Sequence, residues 1–212
     1  MQYNPSTFSS PSQPKRCKIS QSAQVISFPW VEDIKLHSSS TIYPDHSTVL
    51  CAAVINNTYV VTGGKDSFIY VFTLEGMKIA TLKAHTASVC TLSTINNAEG
   101  KTTMLVSGSD VGCNTLIFWD VNSWTIRSKI QAHTAAITSI VDLKDGQTLV
   151  SGSYDKLINI YNHRRAEVLY NLSANKCHVT GIVLSGDSNR MTSCGLDKSL
   201  HVWRISRKHG IV

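Results

Sequence analysis

One short template occurs four times in this chain, and a chain that repeats a unit at a fixed period folds by stacking copies of it. TGGKDSFIYVF (62–72), SGSYDKLINIY (151–161) and SCGLDKSLHVW (193–203) each run from a small hydroxyl residue, four positions on to Asp, then six more to an aromatic. SGSDVGCNTLIFW (107–119) fits after a two-residue insertion at its turn. Upstream of two copies stand KAHTASV (83–89) and QAHTAAI (131–137), which share Ala-His-Thr and an apolar residue four after the His. The copies recur about every 43 residues.

Within each copy, apolar stretches of four to six residues alternate with Gly, Asn, Asp and Ser turns, and no window holds the 3.6-residue spacing of an amphipathic helix. The chain therefore reads as all-β. In the third copy the alternation predicts strands at Ile137 to Leu143, Thr148 to Ser153, Leu157 to Tyr161 and Glu167 to Leu172. Asp145-Gly146 supplies the first turn and Tyr154-Asp155-Lys156 the second, so four strands follow one another as a meander. The unit boundaries fall at 44–84, 85–131, 132–173 and 174–212, within a repeat domain spanning 24–212. Residues 24–43 leave room for a degenerate partial blade. Residues 1–23, rich in Ser, Pro and Gln, read as a disordered leader with a basic cluster.

The His, then Ser/Thr-Gly-x-x-Asp, then an aromatic six residues on, resembles the WD40 repeat of G-protein-β-like propellers over roughly residues 46–203, and Trp119-Asp120 keeps the WD dipeptide. The resemblance implies a β-propeller of about four four-stranded antiparallel blades. Alternating strand direction brings the loop entering the first strand and the turn between strands two and three to one end of a blade. The resemblance then implies a chain in which Asp155 accepts from the His133 ring, the other ring nitrogen meets Ser151, and Tyr161 closes the row.

The copies are unequal. His85, Ser107 and Trp119 stand in place in the second, but the insertion DVGC puts Cys113 where the acid belongs. In the fourth, Ser193, Asp197 and Trp203 match, with Asn175 rather than His178 at the His position. In the first, Thr62, Asp66 and Phe72 match, and His46 sits one residue too close to its strand.

Ser, His and Asp also suggest a hydrolase. A nucleophile needs exposure beside an oxyanion hole and occurs once, whereas this set recurs with the structural period, as a stabilising device would. The expectation is a non-catalytic interaction scaffold that binds a protein or peptide on a loop face. By position that face holds Lys65, Thr86, Val111, Thr134, Tyr154 and Leu196. The alternative is an RNA- or ribosome-associated factor using basic tails.

Charge argues against a broad nucleic-acid face. The net charge is +6, but Lys15, Arg16 and Lys18 precede every acid, and Arg204, Arg207 and Lys208 follow the last one. The body between them is neutral. The six cysteines form no CxxC pair and the eight histidines no ligand spacing, so no metal, cofactor or small-molecule substrate is expected. No run reaches the roughly 18 apolar residues of a membrane span, and the expected compartment is the cytoplasm, with the nucleus an alternative. NNAEGKTT (96–103) reads as a longer hairpin at the end opposite the His, and Arg164-Arg165 as a solvated turn.

Two arrangements stay open. The strand near Thr41 to Tyr43 closes a small ring against the last unit, or the units form an incomplete arc whose exposed edges seek a partner or a second copy. The short C-terminal unit favours the arc.

Overall fold

The computed structural model describes residues 48–173 and 176–206, so His46, Asn175 and the Thr41 to Tyr43 strand lie outside the described residues. Four antiparallel sheets follow in chain order, each a meander. The first holds β1 (Val49–Ile55), β2 (Tyr59–Gly64), β3 (Phe68–Thr73) and β4 (Lys78–Lys83). The second holds β5 (Val89–Asn96), β6 (Thr102–Ser109), β7 (Thr115–Asp120) and β8 (Ile126–Gln131). The third holds β9 (Ile137–Asp142), β10 (Thr148–Ser153), β11 (Ile158–Asn162) and β12 (Glu167–Leu172). The fourth has three described strands, β13 (Val179–Leu184), β14 (Arg190–Gly195) and β15 (Leu200–Arg204). The third sheet departs from the sequence expectation by one residue at three strand ends. These are the blades of a β-propeller, and no helix occurs among the described residues.

The blades stack through their first strands: β1 on β5, β5 on β9, β9 on β13. Among the described residues no packing of that extent returns from β13 to β1. Each junction encloses its own core. Ile55, Val61, Ile69 and Val71 meet Val89, Leu105 and Trp119 between blades one and two. Val106, Leu116 and Phe118 meet Ile137, Leu149 and Tyr161 between two and three. Val150 and Ile158 meet Val179, Ile182 and Met191 between three and four. Burying each such side chain stabilises the stack by about 1.5–3 kcal/mol. The outer strands β4, β8 and β12 are largely exposed, and Lys78, Lys83, Lys129 and Glu167 hold their edges in water.

The template's glycine has a specific task. A Cβ at Gly63 would lie 2.6 Å from Val89 Cγ1, one at Gly108 2.9 Å from Ile137 Cγ2, and one at Gly152 2.7 Å from Val179 Cγ1. Each glycine is the socket for the apolar residue that opens the next blade, which accounts for the apolar residue four after each His. The fourth blade carries Cys194 there instead. A second irregularity recurs beside the aromatics. Register shifts fall at Val71/Phe72, Phe118/Trp119 and Ile160/Tyr161. The extra residue lies in the outer strand each time, Ile79, Arg127 and Leu169, so the bulge bends that strand opposite the aromatic.

Candidate functional site

The turn aspartate acts first on its own backbone. Asp66 Oδ1 accepts from Phe68 N–H at 3.1 Å, Asp155 Oδ1 from Leu157 N–H at 3.0 Å and Asp197 Oδ1 from Ser199 N–H at 3.0 Å. The residue between donor and acceptor sits left-handed each time: Ser67 at φ 68°, Lys156 at 75°, Lys198 at 63°. An Asx turn holds an L-residue in that region, so the copies need Asp for the turn itself.

In blade three the carboxylate's second oxygen completes a buried chain. His133 Nδ1 lies 2.9 Å from Asp155 Oδ2, which places the proton on Nδ1. Nε2 then accepts from Ser151 Oγ–H at 2.7 Å. The Tyr161 hydroxyl lies 3.2 Å from the Ser151 oxygen and donates to the Ala132 carbonyl at 3.0 Å. Thr134 N–H also donates to Asp155 Oδ2, at 3.0 Å. Burial lowers the His133 pKa and Asp155 pulls it back up, with the net direction downward. Burial alone would raise Asp155, but the N–H groups of Thr134 and Leu157, with His133, hold it below its ordinary value. Burial pushes Tyr161 up to about 12.

Blade two repeats the chain with one substitution. His85 Nε2 lies 2.7 Å from Ser107 Oγ, and Trp119 Nε1–H donates to the same oxygen at 2.9 Å. At Nδ1 the partner is Cys113 Sγ, 3.4 Å away. Without a carboxylate, burial and then Lys129 push His85 down to about 4. Burial raises the Cys113 thiol pKa, and bonds from Ser109, Thr86 and Thr115 outweigh it.

The outer copies are partial. Trp203 Nε1–H donates to Ser193 Oγ at 3.0 Å, but Asp197 Oδ2 accepts from Lys176 N–H at 2.8 Å, and Ser199 bonds hold its pKa at about 2. In blade one, Tyr70 reaches Asp66 Oδ2 at 3.4 Å, while Phe72 is buried and has no polar tip. Asn159 was not marked by the template. Its Nδ2 donates to the Ala132 carbonyl at 2.8 Å and lies 3.4 Å from His133 Nδ1. The available signal was polarity two before the aromatic, present at Tyr70, Asn159 and His201 and absent at Ile117.

The six turn residues read as a contact face are all exposed, Val111 at 63%, Leu196 at 58% and Tyr154 at 41%. Tyr154 has a neighbour the sequence reading did not give it. Its ring lies 4.8 Å from that of His178, and His178 Nδ1 hydrogen-bonds the Tyr154 carbonyl, tying blade four to blade three. Arg164 is likewise not simply solvated, since its Nε–H donates to the Gly146 carbonyl at 2.8 Å. Among the described residues, no group of three or more His, Cys, Asp or Glu could hold a metal ion, and no helix is long and apolar enough to cross a membrane.

Comparison with known proteins agrees with the repeat geometry. The family described as "WD domain, G-beta repeat" matches residues 76–120, 124–162 and 166–204, more than half of the chain. These matches begin in the turn before an outer strand and end one residue past the aromatic, so each is offset from a blade. A p21-activated protein kinase-interacting protein 1-like from Gallus gallus is 27% identical over 143 residues, covering 64% of this chain and 37% of its own length. Protein HIR1 of Kluyveromyces lactis is 21% identical, covering 87% of this chain and 24% of its own. The U5 small nuclear ribonucleoprotein 40 kDa protein of Dictyostelium discoideum is 26% identical, covering 70% of this chain and 41% of its own. The chain thus spans well under half the length of these relatives. Among solved structures, the computationally designed Ika4 protein superposes with a TM-score of 0.67 at 23% identity, over 78% of this chain and 96% of that one.

Proposed function

This chain belongs to the WD domain, G-beta repeat family, and from that premise we propose that it is a non-catalytic scaffold binding a protein or peptide on the turn end of its blades. One observation carries the non-catalytic half: Ser107, Ser151 and Ser193 are each 0% exposed. A serine whose oxygen is hydrogen-bonded inside a blade, to His and an aromatic for Ser107 and Ser151 and to Trp203 for Ser193, cannot reach an acyl substrate. The binding half rests on Val111, Tyr154 and Leu196, bulky apolar or aromatic side chains exposed among Lys65, Thr86 and Thr134. Anchors of that kind with a polar surround suit a protein interface. Partner capture from cell extract tests it. A Val111→Lys/Leu196→Lys variant is expected to lose the partners that the native chain holds. An unchanged set of partners removes this face from the reading.

The same proposal places the chain in the cytoplasm or nucleus. It also includes self-association through the outer face of blade four, where Val183, Leu200 and Val202 are exposed. Sedimentation that stays monomeric at every concentration removes that part.

A second reading is favoured by the printed names of two relatives, the U5 small nuclear ribonucleoprotein protein and a ribosome biogenesis protein WDR12 homolog of Drosophila persimilis. In that reading the basic tails bind RNA. Binding would weaken steeply with salt and vanish on deletion of residues 1–20 and 204–212.

A further inference from the structure

At the end opposite the tetrads, a cleft of about 1200 Å³ opens between blades two and three. Its walls are the Asn96 to Gly100 hairpin, the β9–β10 turn from Asp142 to Gly146, and the β11–β12 turn from His163 to Ala166. The equivalent place between blades one and two is closed. There Trp124 meets Tyr59 edge-on at 5.5 Å, both side chains pack against the core with Val121, and Asn56 bonds the Thr102 backbone in both directions.

Aligning the two turns by their first residue, Asp120 and Asn162, explains the difference. Trp124 and Ala166 occupy the same position and share a left-handed backbone, φ 56° and 54°. Val121 corresponds to His163, and Asn122 to Arg164. The cleft therefore lacks a large aromatic side chain, holds a histidine where an aliphatic belongs, and gains a cation.

His163 is buried, 7% exposed, and stacked at 6.4 Å on Phe118; neither ring nitrogen makes a well-formed hydrogen bond, and its polar neighbours are the Gly146 backbone, Asp142 and Asp145. A buried polar ring so poorly satisfied is costly, and a ligand on the cleft floor would offset that cost. The acids lining the cleft are held by turn backbone and attracted to His163: Asp142 accepts from Lys144 N–H at 3.1 Å, and Asp145 from Gln147 and Thr148 N–H at 3.0 and 2.7 Å. The cations project at its rim. Arg127 makes only a loose 3.8 Å pair with Asp120, and Lys144 and Arg164 lie on the opposite wall.

We propose that this interblade cleft binds an acidic peptide segment of a partner protein, with an aromatic side chain over Ala166 where Trp124 stands one junction earlier, and carboxylates against Arg164, Lys144 and Arg127. The volume exceeds that of a typical small-molecule pocket of about 300–1,000 Å³, and its mixture of Ile95, Met104 and cations suits a peptide. This site is separate from the turn-end surface of the proposed function.

The probe is a fluorescein-labelled peptide alternating Glu and Trp, read by anisotropy with the full chain. Arg164→Glu and Ala166→Trp are each expected to weaken binding by at least about tenfold. Ala166→Trp should do so with an unfolding midpoint equal to or above that of the native chain, because Trp124 already tolerates the same backbone. Arg165→Glu, one residue outside the cleft, and Tyr154→Ala, at the turn end, should leave the affinity unchanged. Absent binding, binding that survives Ala166→Trp, equal loss in Arg165→Glu, or equal affinity for the Gln-for-Glu peptide would each overturn the proposal. Binding of an oligouridylate instead, with the same Arg164→Glu sensitivity, would overturn the peptide assignment in favour of RNA.

Discussion

Blades two and three are built on one frame and differ most in the acid opposite the buried histidine. In blade three a carboxylate at 2.9 Å from His133 is held by two backbone N–H groups and completes a charge-assisted chain to Ser151 and Tyr161. In blade two a thiol at 3.4 Å takes that place, and Trp119 rather than Tyr closes the row. Both serines stay buried and both histidines keep the same 2.7 Å bond. The strand frame therefore does not depend on the acid. What the acid sets is how tightly the turn is tied to the loop that enters the blade, since it alone bonds both His133 and Thr134. In blade two the thiol of Cys113 stands against His85 and Thr86 in place of that carboxylate, and Asn114 of the longer turn accepts from Ala132 N–H of the following loop at 3.2 Å.

The largest test of this difference removes the histidines. His133→Ala leaves Asp155 and Ser151 without their buried partner and should cost about 3–5 kcal/mol in urea unfolding. His85→Ala strands only neutral groups and should cost about 1–3 kcal/mol. Equal costs would break the distinction.

Acid sharpens it next. His85 has its folded pKa lowered to about 4 from an ordinary 6.5, so the native state binds fewer protons than the unfolded one within that window. The stability it contributes is fully present above the ordinary value and is lost as pH falls through the folded one, a loss of up to roughly 3 kcal/mol. His133 is lowered too, but Asp155 opposes the shift. His85→Asn should therefore remove more of the slope of stability against pH than His133→Asn, measured between neutral pH and about 4. Asp155, whose folded pKa is depressed, contributes stability that is lost only at still lower pH.

The smallest effect is a gain. Cys113→Asp offers His85 the carboxylate it lacks and should raise its pKa, read by NMR titration, with about 1 kcal/mol of added stability. An unmoved His85 resonance would show that the two-residue insertion keeps an acid out of reach.

The blades were legible in the sequence because every recurring residue serves a local rule. The aspartate makes an Asx turn, the glycine clears space for the next blade's apolar residue, and the aromatic faces a bulge in the outer strand. Even the substitution of Cys113 for the acid could be read from the insertion. What lay between blades was not legible. Tyr154 against His178 and the pairing of Asn56 with Thr102 join residues of different copies, and nothing in one copy specifies its neighbour. The cleft was hidden for a related reason. NNAEGKTT and Arg164-Arg165 each looked like ordinary surface, and only the stacking of blades two and three brings them together around His163.

A double-mutant cycle measures the central difference most directly. Unfolding free energies of His133→Ala, Asp155→Ala and the double variant give one coupling energy, and the same set at His85 and Cys113 gives the other. A carboxylate-locked turn predicts a coupling of about 1–3 kcal/mol in blade three and under about 0.5 kcal/mol in blade two. Equal couplings, or a blade-three coupling near zero, would contradict it.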